Sequence, residues 1–361
     1  MKFVAVCLLT LTACAVDLET GAASDSVTNC DDWMCGTNSP VIDGFGFHEL
    51  NVEGVVDSDG WTLGPTVAGK RLGPMIRGSS SYAVIVVNGT IYAQQTSGPA
   101  TDPPFLSNTT LVGASFVLGH GDRVYLMGIA DVRRETPYWA ELPNTNPVFE
   151  SYELDWKPVG YIGHAMPVCA QPNDDDILTM DRYHALVFEG ERIDAAHKTV
   201  GATLDARWFN IGCAGSTLAK LHLTGHTQAA KADGFSTTIL ERQTMLKMLS
   251  ADYCGTGRAF TVGGQPLHWA DDHGTMTVGI LDNSLEAEWG PNGASCLNTP
   301  RVVANPTATS LQYFPDAATV ASEIAHTCRG GVVPPPCSGS APAGTHLWSY
   351  NPHPFIILPQ P

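Results

Sequence analysis

The chain has 361 residues, of which 43% are hydrophobic and only 15% are charged, and its formal net charge is -17. That length and apolar content suffice for one large domain or two ordinary ones with real hydrophobic cores. Because a strongly acidic surface repels nucleic acid and anionic lipid headgroups, the composition argues against both as partners. The acidity fits solubility, or the binding of cations and basic partners.

Residues 1–13 have the parts of an export signal: Lys2 supplies the positive end, an apolar core follows, and small residues precede a cysteine. Leu11-Thr12-Ala13-Cys14 resembles a bacterial lipobox, which implies cleavage before Cys14 and a lipid anchor on its thiol. Acyl chains gain about 0.8 kcal/mol per buried methylene, so we expect Cys14 to hold the protein to the bilayer of the cell envelope, at the outer membrane or cell surface. The alternative is a simple secretory signal with an incidental cysteine.

Residues 14–29 are small, polar and acidic, which predicts a flexible tether. A β-rich segment is expected over residues 30–147. Its clearest feature is Ser81–Gln95, where two apolar runs flank Asn88-Gly89, the strongest short hairpin signal. Leu111–Leu118 and Arg123–Val132 predict a second hairpin, and short strands at this spacing suit a small sandwich or barrel.

Residues 148–303 mix strands with helices. Alternation or short apolar runs predict strands at Val148–Trp156, Tyr183–Arg192, Thr275–Leu281, Leu285–Trp289 and Ala294–Leu297. Cys169–Met180 is expected to be a polar loop. Ala214–His222 predicts a first helix, on which Leu218, Leu221 and His222 share one face.

The second predicted helix begins at Thr238, because Thr238 and Glu241 form a capping-box signature. Its buried face is predicted by residues that recur at spacings of three and four: Leu240, Thr244, Met248, Leu249 and Tyr253. Glu241, Arg242 and Lys247 lie off that stripe.

Gly255 suits the left-handed turn that follows a last helical residue. Beyond it, Ala259–Val262 and Pro266–Ala270 alternate on either side of Gly263-Gly264, which predicts a hairpin.

The run Ala251–Gly257 reads ADYCGTG, with Trp208–Thr227 before it and Glu286–Arg301 after it. Together these segments, roughly residues 152–301, resemble the ADYC-domain proteins, a bacterial family found mainly in myxobacteria and their relatives. The resemblance implies little about function, since the family has no assigned activity, and it supplies no catalytic residue.

The predicted fold class is α+β: a β-rich N-terminal segment followed by a disulfide-bonded domain of two helices packed on an antiparallel β meander. Residues 304–361 form a tail, with a short helix at Ala317–Thr327 for which Asp316 is the expected cap. Eight prolines from Arg329 onward exclude a regular helix and predict an extended segment that follows the surface.

Ten cysteines constrain the covalent framework. Cys7 leaves with the signal and Cys14 takes the lipid, so those that remain for disulfides are Cys30, Cys35, Cys169, Cys213, Cys254, Cys296, Cys328 and Cys337. An even set in an exported protein predicts disulfides, although eight cysteines allow 105 connectivities. Proximity suggests Cys30 with Cys35 and Cys328 with Cys337; the simplest sequential choice then pairs Cys169 with Cys213 and Cys254 with Cys296.

Two groups of polar residues have the composition of metal sites. His222 and His226 lie four residues apart, as in several zinc sites, but Gly225 interrupts the helix, which favours a surface or core-edge pair. A second group sits at the predicted hairpin: His268, Asp271, Asp272 and His273. Because turns attract Asp for backbone reasons alone, we assign no metal ligand there.

One catalytic arrangement is chemically sensible. Cys213 precedes a predicted helix, whose N-terminus would lower the thiol pKa, and a later histidine such as His268 could act as base. The even cysteine count favours a disulfide at Cys213 instead.

Other patterns favour ordinary structure. Asp57-Ser58-Asp59-Gly60 and Asp174–Asp176 lack the full calcium-loop pattern. Trp208, Trp269 and Trp289 are interpreted as core residues. Asn88-Gly89-Thr90 and Asn108-Thr109-Thr110 match a glycosylation pattern by chance, and no nucleotide-binding or serine-hydrolase motif is present.

The sequence therefore assigns no catalytic residue, no metal ligand and no cofactor. It favours a cell-envelope lipoprotein that acts as a non-catalytic binding or structural module for an unknown protein or glycan ligand. Two alternatives remain: an envelope hydrolase with a Cys213 nucleophile and a histidine base, and a metal-dependent binding module.

Overall fold

The computed structural model describes residues 40–135, 149–169, 183–228, 237–262, 265, 267–271, 283–328, 333–338 and 347–352. The signal, the tether, Cys14, Cys30 and Cys35 lie outside the described residues, as do the predicted strand Thr275–Leu281, the Gly263-Gly264 turn and all of the loop after Cys169 up to Met180.

The described residues contain strands β1 to β22. In chain order they are β1 (Val41–Ile42), β2 (Phe45–Gly46), β3 (Glu49–Asn51), β4 (Trp61–Leu63), β5 (Thr66–Val67), β6 (Lys70–Arg71), β7 (Met75–Arg77), β8 (Ser80–Val87), β9 (Thr90–Ser97), β10 (Phe105–Ser107), β11 (Ser115–His120), β12 (Arg123–Glu135), β13 (Phe149–Pro158), β14 (Met166–Pro167), β15 (His184–Gly190), β16 (Ile193–Asp194), β17 (Thr199–Val200), β18 (Asp205–Cys213), β19 (His268–Asp271), β20 (Asn283–Gly290), β21 (Gly293–Leu297) and β22 (Leu347–Pro352).

Five α-helices lie in the same residues: α1 (Thr217–Leu223), α2 (Ile239–Ser250), α3 (Arg301–Ala304), α4 (Ala308–Tyr313) and α5 (Ala317–Thr327). A 3-10 turn spans Asn108–Leu111. The chain is thus β-rich with antiparallel sheets, as expected, but its described part has five α-helices where three were predicted, two in the domain over residues 148–303 and one in the tail. The helix with Asp316 as its cap is confirmed, since the Asp316 carboxylate accepts from Thr319 N.

One antiparallel sheet of twelve strands organises the first two thirds of the described chain. Its main order is β10-β9-β8-β7-β11-β12-β13-β15-β18-β3, with β14 on β13 and β4 on β11. Strands from both sides of residue 147 therefore share one sheet. The predicted hairpins of β8 with β9 and of β11 with β12 are confirmed by the pairs Val87↔Thr90 and His120↔Arg123.

This large sheet folds back on itself. Glu189 in β15 accepts hydrogen bonds from the backbone N–H groups of Asn88 and Gly89 in the β8–β9 turn. The Tyr152 hydroxyl in β13 likewise accepts from Ile91 N in β9, at 2.8 Å. The apolar faces of the two halves consequently enclose one core, because alternate residues of every strand point to the same side.

A smaller antiparallel sheet has the order β19-β22-β20-β21 and packs against α2. Two predictions fail here. The tail does not only follow the surface: Leu347–Pro352 is an inner strand between β19 and β20. The hairpin of Ala259–Val262 with Pro266–Ala270 does not form, because His268–Asp271 pairs with β22 instead and Ala259–Val262 is not a strand.

Helix α2 begins with the predicted capping box between Thr238 and Glu241. Its burial differs from the predicted single face. Leu240 is 63% exposed, whereas Arg242 and Lys247 are almost fully buried. The reason is that α2 has neighbours on nearly every side, and each buried cation is matched by a buried carboxylate described below. No helix in the described part of the chain is long and apolar enough to cross a membrane.

The disulfides correct part of the predicted pairing. Cys169 with Cys213 is confirmed. Cys254 bonds to Cys328 and Cys296 to Cys337, so the expected pairs of Cys254 with Cys296 and of Cys328 with Cys337 are wrong. Proximity in sequence misled because α5 carries Cys328 to the end of α2, while the segment 333–338 runs beside β21, where Leu297 N donates to Pro335 O at 2.8 Å.

Candidate functional site

Residues Ala251–Gly255, part of the Ala251–Gly257 run that contributes to the family resemblance, lie at the C-terminus of α2. Ala251 ends the helix in the left-handed conformation, with φ 51°, and its N–H donates to the Met248 carbonyl. Gly255 was expected in that role, but it lies four residues later, also with positive φ. A Cβ on Gly255 would lie 1.9 Å from the Asn292 carbonyl oxygen, so the close approach of the β20–β21 turn requires glycine.

Asp252 forms a buried ion pair with Lys247, at 2.6 Å between Oδ2 and Nζ. The same carboxylate accepts from the backbone N–H groups of Thr256 and Gly257, at 3.0 and 2.7 Å. The Lys247 ammonium also donates to the His197 carbonyl. Neither charge is left without hydrogen bonds, which is the condition under which a buried pair is tolerated.

Tyr253 links the motif to the small sheet. Its hydroxyl donates to Glu286 Oε1 at 2.5 Å, and Arg301 Nε donates to the same oxygen at 2.9 Å. The tyrosine ring also stacks on Trp289, with 5.3 Å between centroids. Burial and the Glu286 charge raise the pKa of Tyr253 well above its usual value. The hydroxyl therefore stays protonated as a donor.

A third buried pair joins Arg242 to Glu191, 3.3 Å apart. Across the three pairs, no side chain is more than 3% exposed. Burial raises the pKa of Glu191 to about 7. Because none of these groups opens to solvent, the cluster around the motif can hold the fold together but cannot meet a substrate.

Cys213 does not support catalysis. It is fully buried and bonded to Cys169, and it ends strand β18 three residues before the Ser216 cap of α1. The favoured prediction of a disulfide at Cys213 is therefore confirmed, and the alternative of a Cys213 nucleophile with a base such as His268 is wrong, because the sulfur is already oxidised. Ser216, whose side chain accepts from Ala219 N, caps the helix instead.

The two histidines of α1 and its end are core residues, not a surface or core-edge pair. His222 is fully buried and stacks on Phe188 at 5.2 Å between centroids, and burial lowers its pKa to about 3. Its Nδ1 lies 2.8 Å from Thr227 Oγ1. His226 Nδ1 donates to the Thr224 carbonyl. Each ring is thus held in the core by partners of its own.

The other residues considered as possible ligand sites have structural roles where they lie in the described part of the chain. Asp57 accepts from Trp61 N and Asp59 N, which makes it a turn residue, and burial raises its pKa to about 6. Trp208, Trp269 and Trp289 are buried as predicted. His268 and Asp271 lie along β19 and not at a hairpin turn. Asp272, His273 and Asp174–Asp176 lie outside the described residues.

One group of potential ligands that the sequence did not reveal lies on the large sheet. Asp131 in β12, Glu153 in β13 and His184 in β15 occupy neighbouring positions, since Asp131 pairs with Glu153 and Glu153 with His184. One oxygen or nitrogen of each lies within 4.8 Å of those of the others. The imidazole is fully buried, while both carboxylates are partly exposed. We call these residues the DEH row.

The side chains around the DEH row fix its orientation. Ser151 Oγ lies 2.8 Å from His184 Nδ1, and His184 Nε2 lies 3.9 Å from Asp131 Oδ2. Arg133 Nε donates to that same Asp131 oxygen at 2.8 Å, which lowers the pKa of Asp131. Serine, histidine and aspartate here resemble a hydrolase triad in composition. Ser151 is fully buried in mid-strand, however, and cannot reach a substrate.

The fold and site define a disulfide-bonded, antiparallel β protein in which three buried ion pairs tie helices α2 and α3 to neighbouring strands and loops. The model of the ADYC domain matches residues 108–303, more than half of the chain, so the protein belongs to the ADYC-domain family. Neither a search of curated proteins nor one of solved structures finds a match.

Proposed function

We propose that the protein is an exported, lipid-anchored component of the bacterial cell envelope, whose folded part acts as a non-catalytic binding or structural module. The observation that carries this proposal is the complete internal use of the family motif. Asp252 forms an ion pair with Lys247, Tyr253 donates a hydrogen bond to Glu286, and Cys254 forms a disulfide with Cys328. These three residues of the family motif therefore stabilise the fold.

The disulfides support the exported location. Such bonds persist in oxidising compartments and are rare in the reducing cytosol. The described residues contain three disulfides, which join segments 41, 44 and 74 residues apart in sequence, and an oxidising compartment would keep them formed. The lipobox at residues 11–14 supports an anchor on Cys14.

The anchor is tested by expressing the full chain and its Cys14→Ala variant in a bacterial host that processes lipoproteins. The mature wild type is expected to enter the detergent phase on phase partition and to gain the mass of a lipid on its N-terminal peptide. The variant is expected to stay in the aqueous phase. If both proteins partition alike and the peptide carries no lipid, the anchored location is wrong.

The non-catalytic role is tested separately by alkylating the unreduced protein. We expect no label on Cys213, since its thiol is used in the bond to Cys169. Labelling of Cys213 in the folded protein would contradict the non-catalytic role and favour the alternative of a hydrolase with a Cys213 nucleophile.

A further inference from the structure

We infer that the DEH row, Asp131, Glu153 and His184, binds a first-row divalent metal ion such as zinc. This inference goes beyond the proposed function and does not depend on the lipid anchor. It assigns a ligand class to the one set of three converging metal-ligand side chains found in the described part of the chain.

The row is built by the register of three adjacent strands. Residues directly opposite one another in antiparallel strands have Cβ atoms about 4.5–5.5 Å apart, so a row of three places its side chains side by side. A register shift between Ile129 and Asp131 marks a bulge at Ala130, and the bulge brings Asp131 opposite Glu153. Bulges commonly re-aim a side chain next to a functional site.

The distance between the His184 imidazole and the Asp131 carboxylate suits a bridging cation better than direct contact. His184 Nε2 and Asp131 Oδ2 are 3.9 Å apart, too far for a hydrogen bond. Two ligand atoms each about 2.1 Å from a zinc ion lie roughly 3.4 Å apart in a tetrahedral site. A contraction of about half an ångström would therefore bring imidazole and carboxylate into the coordination sphere of one ion.

The contact of His184 with Ser151 is the kind that metal-ligating histidines have. A ligating imidazole usually donates its second N–H to an oxygen, which fixes the ring and the tautomer. Ser151 Oγ stands 2.8 Å from Nδ1 and can accept that proton, which leaves the lone pair of Nε2 on the side of Asp131. Both side chains are fully buried, so the ring is held in place before any ion arrives.

The donor set selects the class of ion. One imidazole nitrogen and two carboxylate oxygens suit zinc, manganese or iron(II), whereas calcium and magnesium favour oxygen ligands alone. Asp131 is 37% exposed, so an ion has a path from solvent, and three protein ligands leave a position for water or for a ligand atom.

Arg133 competes with the ion. Its guanidinium donates to Asp131 Oδ2, the oxygen nearest the imidazole, and its side chain is 49% exposed. An incoming divalent cation would replace this contact between Arg133 and Asp131. Because exposed pairs are weak, the Arg133→Gln variant is expected to bind zinc about twofold to fivefold more tightly than wild type.

The test is calorimetric titration of zinc into the mature full-length protein with its disulfides intact, repeated with cobalt to observe ligand-field absorption. We expect one equivalent to bind. Asp131→Asn and Glu153→Gln, which keep side-chain shape, are expected to lower the affinity at least tenfold, and Ser151→Ala by about tenfold. Near-ultraviolet circular dichroism confirms that each variant is folded.

The matched control is the exposed pair of His197 and Asp194, whose Nδ1 and Oδ2 atoms are 2.6 Å apart. His197→Ala and Asp194→Asn remove a histidine and a carboxylate elsewhere on the surface and are expected to leave zinc affinity unchanged. The inference is overturned if no stoichiometric zinc binds, if Asp131→Asn and Glu153→Gln bind as wild type does, or if His197→Ala abolishes binding. His184 is fully buried, so His184→Ala is used only if the variant folds. Asp131→Asn and Glu153→Gln test the inference without it.

Discussion

The Glu286→Gln variant tests whether the ADYC motif stabilises the fold through its buried charges. Glu286 Oε1 accepts hydrogen bonds from the Tyr253 hydroxyl and from Arg301 Nε, and Arg301 is 1% exposed. Glutamine has nearly the same shape but no charge. The substitution therefore leaves a buried guanidinium without its counter-ion while changing the packing little.

Removing one partner of a buried ion pair costs about 3–5 kcal/mol, whereas exposed pairs contribute about 0–1 kcal/mol. Arg301 keeps the hydrogen bond from its terminal nitrogen to the Met248 carbonyl at 3.0 Å, and the glutamine oxygen can still accept from Nε, which places the expected loss near the lower end of that range. We therefore expect Glu286→Gln to lower the free energy of unfolding by about 3 kcal/mol.

Guanidinium unfolding of the oxidised protein, followed by tryptophan fluorescence, measures this loss. Asp205→Asn is the control, because it removes the carboxylate of an ion pair at Arg207, which is 57% exposed, and is expected to cost less than 1 kcal/mol. The double variant Glu286→Gln with Arg301→Met should recover part of the loss, since no unpaired charge remains. A cost for Glu286→Gln no larger than that for Asp205→Asn would refute the reasoning.

Two further predictions concern single buried positions. Burial lowers the pKa of His222 from 6.5 to about 3. As the pH falls below 6.5, the imidazole is protonated in the unfolded chain but not in the folded one, so the free energy of unfolding decreases. Between pH 7 and pH 5, wild type should therefore lose about 2 kcal/mol more than His222→Phe in urea unfolding; parallel losses would contradict this. Gly255→Ala places a Cβ 1.9 Å from the Asn292 oxygen and should cost more than 3 kcal/mol, whereas Gly69→Ala, with φ +78° and nothing within 4 Å, should cost only about 1–2 kcal/mol. Equal costs by thermal unfolding would show that the close approach is not tight.

Local signals predicted local structure well. The capping box at Thr238 and the Asn88-Gly89 turn each depend on a few adjacent residues, and both form as expected. The burial of Arg242 and Lys247 could not be predicted in the same way. A cationic side chain without a local partner on a helix is predicted to be exposed to solvent. Glu191 lies 51 positions before Arg242, and only the folded structure brings the two side chains into contact.

Non-local pairings were missed for the same reason. Leu347–Pro352 follows a proline-rich stretch that predicts an extended tail, and its place between β19 and β20 depends on residues roughly sixty to eighty positions away. The DEH row has the same origin: Asp131, Glu153 and His184 lie in three strands, and the bulge at Ala130 shifts the register that joins them. A one-residue error in register moves a side chain to the opposite face, so strand prediction alone could not find the row.

The most direct test of the proposed role of the motif is a disulfide map of the mature, unreduced protein by proteolysis and mass spectrometry. We predict linked peptides for Cys169 with Cys213, Cys254 with Cys328, and Cys296 with Cys337. A peptide that joins Cys254 to Cys296, or a free Cys213, would contradict the conclusion that the motif and its cysteines serve to close the fold.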